Sequence, residues 1–291
     1  DFEAGIGGYY TLRGNNGFAF VRCAGFRHRP SQADMLHVDL WWRAQNVAVD
    51  AGTYSYNAPE PWNNPLAHTA FHNTVTVDDL DQMDRAGKFL WLPWLRGRVR
   101  CVERSVEGHL AYFEGEHDGY RRLKSPVTHR RAILRLPEGS WLVLDRLTSE
   151  GDHGYRLHWL FADFPYDWNE PECRIAFHTA AGSYHGMFGL LTGCAAWSVV
   201  RADESSPRGW RAPYYNYREP AVSLEGKAQA SSLSFWSLFG PGRCQVFIDG
   251  QQLQIQNHGW RASLRLGSSD EQLQISSVMV EGSLEDRLEI L

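Results

Sequence analysis

The chain has 291 residues, of which 43% are hydrophobic and 22% are charged, and its formal net charge is −5. These proportions are ordinary for a globular chain with a sizeable core, and the length allows one large β domain or two smaller domains. Acidic and basic residues are interspersed without a basic stripe, which argues against a nucleic acid partner. No apolar run approaches the roughly 18 residues that a membrane-spanning helix needs.

The first residue and the cysteines bear on the context of the chain. Because it begins with Asp1 rather than Met, we expect a segment of a longer protein whose other parts hold any targeting signal. Its five cysteines form no CxxC pair, which excludes a zinc ribbon. Their odd number and apolar neighbours favour buried free thiols, and one disulfide stays open if the protein is exported.

Strand periodicity is frequent and regular along the chain. Residues 36–43 alternate between two series, one of them apolar, which predicts a half-buried strand, and residues 74–78 repeat the pattern. Turn signals such as Pro137-Glu138-Gly139 and Glu150-Gly151-Asp152 separate further short β-type runs. These runs are Val99–Arg104, Leu110–Glu114, Val127–Leu136, Trp141–Leu147, Tyr155–Phe161, Cys173–Phe177, Tyr184–Leu191, Ala195–Val200, Ala221–Leu224, Leu233–Phe239, Cys244–Ile248 and Leu253–Gln256.

The same pattern predicts the fold class. No segment keeps a 3.6-residue apolar period over three turns, and no internal repeat or domain boundary is evident. Residues 201–218 are polar and aromatic and predict a long ordered loop. We therefore predict an all-β protein, a large antiparallel β-sandwich (a supersandwich) of two or more stacked sheets, with residues 1–291 as one domain.

The segment from Pro30 to Trp94 mixes strand periodicity with His, Asp, Asn and Trp. His72 opens a strand, Asn73 is its neighbour, and Asp50 ends an earlier strand. A lone histidine usually fills a structural role, and Asp50 alone suits a strand-end turn equally well. An imidazole beside a carboxylate is nevertheless the usual arrangement for proton transfer, so His72 and Asn73 are candidate catalytic residues.

A carboxylate and imidazoles on adjacent strands would also suit zinc. Asp50 and His72 would supply two ligands, and Gln32 lies where a third ligand is wanted. An amide oxygen is a poor zinc ligand compared with an imidazole. We therefore expect zinc to bind weakly or not at all, and no other cofactor is indicated.

Candidate substrate contacts flank these polar residues. Large β-sandwiches use most of their aromatic residues in the core, but Trp62, Trp91 and Trp94 lie beside the polar segment. We interpret Trp62 and Trp91, with Tyr54 and His68, as candidate substrate-binding residues. Arg130 is a further candidate for an anionic polymer, although a surface strand explains it at least as well. The chain has no GxSxG elbow, P-loop or dinucleotide fingerprint, and no clear pair of facing glycosidase carboxylates.

The run QADMLHVDLWW…NVAVDAGTYSYN…HNTVTVDDLDQM…GKFLWL resembles the C-terminal β-sheet domain of heparinase II/III-like proteins. These are polysaccharide lyases, and the family includes alginate lyases. The later segments EHDGYRRL, VTHRRAIL, WLVLDRL and RGWRAPYYNYREPAVSL fit the same pattern. The resemblance therefore covers the chain from about Tyr9 to about Gly240.

The resemblance implies an α/α toroid upstream of this chain, an acidic polysaccharide as substrate, and a periplasmic or extracellular location. It also implies β-elimination at a uronic acid. A base removes the C5 proton, a tyrosine protonates the leaving oxygen, and Asn or His neutralises the substrate carboxylate, which stabilises the developing enolate.

Some members hold zinc through a His of an HxHxD motif, an Asp before a GTY turn, and a later His. We match that motif to Pro30–Asp34, which lacks both histidines, and we match Asp50 and His72 to the other two ligands. Because most catalytic groups that the resemblance implies would lie on the toroid, this chain alone should not cleave polysaccharide.

Three functions remain open from the sequence. The first is the β-sandwich part of a polysaccharide lyase, which Asp50, His72 and Asn73 favour. The second is a non-catalytic carbohydrate-binding or structural module of the same fold, which Gln32 favours over a zinc-dependent lyase. The third is a metal-dependent hydrolase built on the sandwich, and it has the least support.

Overall fold

The computed structural model describes residues 1–269 and 272–290, and regular structure in this part of the chain is almost entirely β. The helical segments are four short 3-10 turns, at Pro65–Ala67, Thr69–Phe71, Gly119–Arg122 and Pro137–Gly139. The prediction of an all-β fold is confirmed. Among the described residues there is no helix long and apolar enough to cross a membrane.

The strands are numbered in chain order. They are β1 Phe2–Ala4, β2 Tyr9–Gly14, β3 Gly17–Arg22, β4 Val38–Trp42, β5 Gln45–Ala48, β6 Val75–Val77, β7 Asp84–Gly87, β8 Leu90–Leu92, β9 Gly97–Arg104, β10 Ala111–His117, β11 Thr128–Leu136, β12 Ser140–Ala162, β13 Tyr166–Asn169, β14 Arg174–Thr179, β15 Gly182–Leu190, β16 Ala196–Arg201, β17 Trp210–Tyr214, β18 Tyr217–Gly240, β19 Gln245–Asp249, β20 Gln252–Gln256, β21 Trp260–Leu266, β22 Ile275–Gly282 and β23 Asp286–Glu289.

Two long strands, β12 and β18, form the spine of the molecule. They pair antiparallel from Trp141 opposite Phe239 to Ala162 opposite Ala221, with a register shift between Thr148 and His153. On its other side, β12 pairs with β11 before the shift and with β6 and β5 after it. Each long strand therefore belongs to two layers in succession.

Three layers result from this arrangement. The first contains β1–β5, β6, the second half of β12, the first half of β18, and β16; the second contains β9–β11, β13–β15 and the other halves of the long strands. The third is the five-stranded sheet β19–β23. One apolar core lies between the first two layers, and a second core, which includes Leu134 and Ile255, lies between the second and third.

Two local expectations were wrong. Residues 150–152, predicted as a turn, lie inside β12, where the register shift lets their small and polar side chains continue the strand as a bulge. Residues 201–218, predicted as a loop, include β17, which pairs with the start of β18 in a hairpin. All five cysteines are free thiols, as expected, although Cys173 is only partly buried and Cys194 is exposed.

Candidate functional site

Three polar residues meet at the spine because each borders a strand of the first layer. His37 directly precedes β4, Asp50 follows β5, and His72 precedes β6. β4 pairs with β5, and both β5 and β6 pair with the second half of β12. One ligand atom from each of the three residues lies within 4.8 Å of the other two.

The cluster is compact and partly open. His72 Nδ1 is 2.9 Å from Asp50 Oδ2, and His37 Nε2 is 3.5 Å from the same oxygen and 3.2 Å from Asp39 Oδ1. The side chain of His72 is fully buried, whereas that of Asp50 is 33% exposed. A ligand can therefore approach the cluster on the Asp50 side.

Asp50 carries the negative charge of the cluster. Burial raises the pKa of Asp50, but the His72 and His37 imidazoles and the Gly52 N–H, which donates to Asp50 Oδ1 at 2.6 Å, hold it well below its usual range. Asp50 is thus ionised at any physiological pH. An ionised carboxylate next to two imidazoles can orient a proton-transferring histidine or hold a divalent metal ion.

The side chain of Asn73 fixes the strands around the cluster. Its amide nitrogen donates to Val38 O at 2.8 Å and Val49 O at 3.1 Å, and its Oδ1 accepts the Leu160 N–H at 2.6 Å. Its backbone N–H donates to His37 Nδ1 at 3.0 Å, which leaves the proton of a neutral His37 on Nε2. The contacts of Asn73 are those of a positioning residue.

His72 is held from behind by a directed chain of hydrogen bonds. Arg208 Nε–H donates to Ser223 Oγ at 3.0 Å, and the Ser223 hydroxyl faces His158 Nε2 at 2.9 Å. His158 Nδ1 then donates to the carbonyl oxygen of His72 at 3.0 Å. Burial, and to a smaller degree the charges of Arg156 and Arg208, lower the pKa of His158 to about 3. The imidazole of His158 is therefore neutral and serves as a fixed donor and acceptor.

A buried ion pair holds the segments on either side of the cluster. Arg131 forms two hydrogen bonds to Asp145, at 2.7 and 2.9 Å, and neither side chain is exposed to solvent. Arg131 Nη1 also donates to Leu36 O at 2.7 Å and to Asn73 O. Leu36 has a left-handed φ of 61°, which disfavours an ordinary side chain. The Arg131 contact therefore helps to fix the turn that presents His37.

The structure places the predicted residues in different environments. Asp50 and His72 belong to the cluster, but the third corner is His37 rather than Gln32. Gln32 Nε2 instead donates to Gly52 O at 3.1 Å. Gln32 thus hydrogen-bonds to the turn that follows Asp50, and its match to the HxHxD motif stays a prediction.

The aromatic and basic candidates divide between the site and the packed interior. Tyr54 and Trp62 pack together at 5.4 Å on the loop beyond Asp50. Trp91 is only 2% exposed and donates its indole N–H to Ser31 O, so its ring has no face for a sugar. His68 packs on Trp91 and pairs with Asp81 at 2.5 Å.

Arg130 is not part of the site. It lies on β11, is 4% exposed, and donates to Gln272 O at 2.9 Å, with Glu114 and Glu116 nearby. The structure therefore does not bring Arg130 to the cluster, because its side chain points toward the third layer.

Two residues at the site were not singled out from the sequence. His37 lay inside an alternating strand pattern, although the order His-x-Asp at 37–39 is itself a signal. Arg218 stands against the rings of Tyr54, Trp62 and Trp210. No sequence signal indicated this, because residues 201–218 predict one loop and only the β17–β18 hairpin brings Arg218 to Tyr54.

The molecule is thus a layered, antiparallel all-β protein that carries a His/His/Asp cluster beside an aromatic surface. The family described as "Heparinase II/III-like, C-terminal" matches residues 1–260. The chain belongs to that family.

The similar proteins agree with this assignment. A heparin-sulfate lyase of Bacteroides stercoris is 26% identical over 133 residues, which is 44% of this chain and 17% of that protein. A crystal structure of a heparinase III matches 99% of this chain and 42% of its own, with a TM-score of 0.71 and 13% identity. Heparan sulfate lyase HepC of Pedobacter heparinus matches 98% and 41%, with a TM-score of 0.69 and 18% identity. The chain thus spans less than half the length of these relatives.

Proposed function

We propose that this chain is the β-sandwich part of a polysaccharide lyase that cleaves a uronic-acid-containing polysaccharide by β-elimination. The observation that carries the proposal is the His37–Asp50–His72 cluster, open on one side and bordered by an aromatic surface with an arginine. The relatives named as heparin or heparan sulfate lyases support an acidic glycosaminoglycan as substrate.

Two of the three distances between the donor atoms of the cluster are close to those of a zinc site, and all three atoms lie within 4.8 Å of one another. Zinc–ligand distances of about 2.0–2.1 Å in a tetrahedron place ligand atoms roughly 3.3 Å apart. The two distances to Asp50 Oδ2, 2.9 Å from His72 Nδ1 and 3.5 Å from His37 Nε2, bracket that value. His37, Asp50 and His72 would hold the ion, which would supply a positive centre and a polarised water molecule.

Metal uptake would alter one hydrogen bond. To bind a metal through Nε2, a neutral His37 must carry its proton on Nδ1. That N–H would then point at the Asn73 N–H instead of accepting a hydrogen bond from it. Loading should therefore weaken the Asn73–His37 bond, and the amide resonance of Asn73 should shift when zinc is added. An unchanged resonance would contradict His37 as a ligand.

The chain's own residues have distinct roles in the proposed reaction. Asp50 orients the two imidazoles, and His158 and Asn73 keep them in place. His72 Nε2 is buried and has no hydrogen-bond partner among the described residues. We therefore propose that His72 acts through Nδ1, the nitrogen that faces Asp50. We propose that an α/α toroid upstream of this chain supplies the remaining acid and base groups, within hydrogen-bond reach of the sugar.

The activity test uses the full-length natural protein. We expect it to release unsaturated sugar from a uronate-containing polysaccharide such as heparan sulfate, detected by ultraviolet absorbance, and to leave a neutral glucan intact. The 291-residue chain alone should release none. Unsaturated product from the chain alone would contradict the division of the site, and a full-length protein inactive on every uronate polymer would contradict the proposed reaction.

A further inference from the structure

Arg218 lies in an aromatic cage of three half-buried rings. Its guanidinium carbon is 3.7 Å from the ring centroid of Trp62, 4.9 Å from that of Trp210 and 5.3 Å from that of Tyr54. Trp62 in turn meets Tyr54 and Trp210 edge to face, at 5.4 and 6.0 Å. The rings therefore fix the plane and the position of the guanidinium without neutralising its charge.

The arginines near Arg218 have acidic partners. Arg211 pairs with Glu219 on the same hairpin, Arg208 approaches Glu225, and Arg201 pairs with Asp163. Within residues 1–269 and 272–290, by contrast, no hydrogen bond or salt bridge joins Arg218 to another side chain, and its Nη1 is buried without a polar partner. A partly desolvated cation without a carboxylate is costly unless it has a ligand to bind.

The cage is attached to the cluster through the backbone. Ala212 N–H donates to Ala51 O at 2.8 Å, and Asn216 N–H donates to Tyr54 O at 2.7 Å. The hairpin that carries Arg218 is thus joined directly to the loop that follows Asp50. The cage and the cluster are therefore carried by neighbouring, hydrogen-bonded backbone segments.

We propose that Arg218 is a specificity-determining residue that binds the anionic group of an acidic sugar, a carboxylate or a sulfate, beside the His37–Asp50–His72 cluster. The planar fork of the guanidinium matches two oxygens of such a group. Nearby in the chain, the half-buried Tyr56 and the exposed Tyr215, whose rings are 5.2 Å apart, offer an aromatic face for the neighbouring sugar ring. This assignment rests on the proposed function, since it names the group of the substrate that is recognised.

The test measures binding of a heparan sulfate oligosaccharide to the 291-residue chain by calorimetry. Arg218→Gln should weaken binding by about tenfold or more, as expected for a lost charge-assisted hydrogen-bond pair. Arg211→Gln removes the same formal charge from the same hairpin and should change affinity less than about twofold, because Arg211 already has a partner. Equal affinities for the two variants, or no binding by the wild-type chain, would overturn the assignment.

Two further comparisons distinguish a lost anion contact from a loss of stability and identify the anionic group that binds. If Arg218→Gln lowers the melting temperature markedly, Arg218→Lys decides, because an ammonium keeps the charge but loses the planar fork. Wild-type affinity in the lysine variant would overturn the proposal. The same oligosaccharide after carboxyl reduction or after desulfation identifies the group, because the dependence on Arg218 should vanish for one of them. If Arg218→Gln still weakens binding when both groups are absent, Arg218 only supports the surface and the proposal is wrong.

The outcome is separable from the test of elimination. Binding that depends on Arg218, together with a full-length protein that releases no unsaturated sugar, would overturn the proposed reaction and leave the anion site intact. If the full-length protein does release unsaturated sugar, but neither its KM nor its affinity depends on Arg218, the anion site is wrong and the proposed reaction stands.

Discussion

The pH dependence of stability should reveal the neutral histidine that holds His72. His158 is 1% exposed, and both of its ring nitrogens are engaged, with His72 O at 3.0 Å and Ser223 Oγ at 2.9 Å. Its folded-state pKa is about 3, whereas an unfolded chain has a histidine pKa of roughly 6.5. Because the unfolded state takes up a proton first, the stabilisation is complete above pH ~6.5 and is lost as the pH falls toward ~3.

The size of this effect follows from the two pKa values. Between pH ~8 and pH ~5, proton uptake by the unfolded chain at this one residue should cost ~2 kcal/mol of unfolding free energy. Urea denaturation at both pH values gives the difference for the wild type and for His158→Gln. The variant should lack this ~2 kcal/mol, while contributions from other residues cancel in the comparison.

A matched control separates this residue from histidines in general. His28→Gln, at an exposed histidine, should keep the wild-type difference between the two pH values. If His158→Gln also keeps it, His158 is not a buried neutral donor, and the proposed support of His72 is wrong.

Further predictions concern the buried ion pair and the metal. Arg131→Met should destabilise the fold by about 3–5 kcal/mol in urea denaturation, because it removes the cation from the buried Asp145 carboxylate and leaves only the His129 imidazole, at 2.7 Å, as its side-chain partner. Arg201→Met, at an exposed pair, should cost at most about 1 kcal/mol. Similar losses in both variants would contradict this reasoning. Zinc in hundredfold excess over its Kd should add about 2.7 kcal/mol to the stability of the wild type and of Gln32→Ala, and it should not stabilise His37→Ala. A zinc effect that requires Gln32 but not His37 would exclude His37 as the third ligand.

The sequence was sufficient for the fold class because period-two alternation is a local signal. It could not show that β12 and β18 are single strands, since Glu150-Gly151-Asp152 has the composition of a turn. Only the pairing partner decides whether such residues end a strand or bulge from it. The strands after Gln256 were not predicted individually, although the five-stranded sheet closes the second core.

The site was predicted in part for a similar reason. Asp50 and His72 stand out as polar residues at strand ends, which is where strands of one sheet bring side chains together. His37 looks like an ordinary polar residue in an alternating strand, and only the pairing of β4 with β5 brings it to Asp50. Trp91 shows the opposite error, since closeness in sequence to polar residues does not distinguish a buried ring from an exposed one.

The direct test of the central proposal is the turnover of full-length Asp50→Asn on heparan sulfate. The amide has nearly the shape of the carboxylate, but it removes the charge that orients His37 and His72. We predict at least a tenfold lower kcat with a melting temperature within a few degrees of the wild type. The control Asp163→Asn, at an exposed ion pair, should leave kcat unchanged. Wild-type turnover in Asp50→Asn would contradict the assignment of this cluster to the reaction.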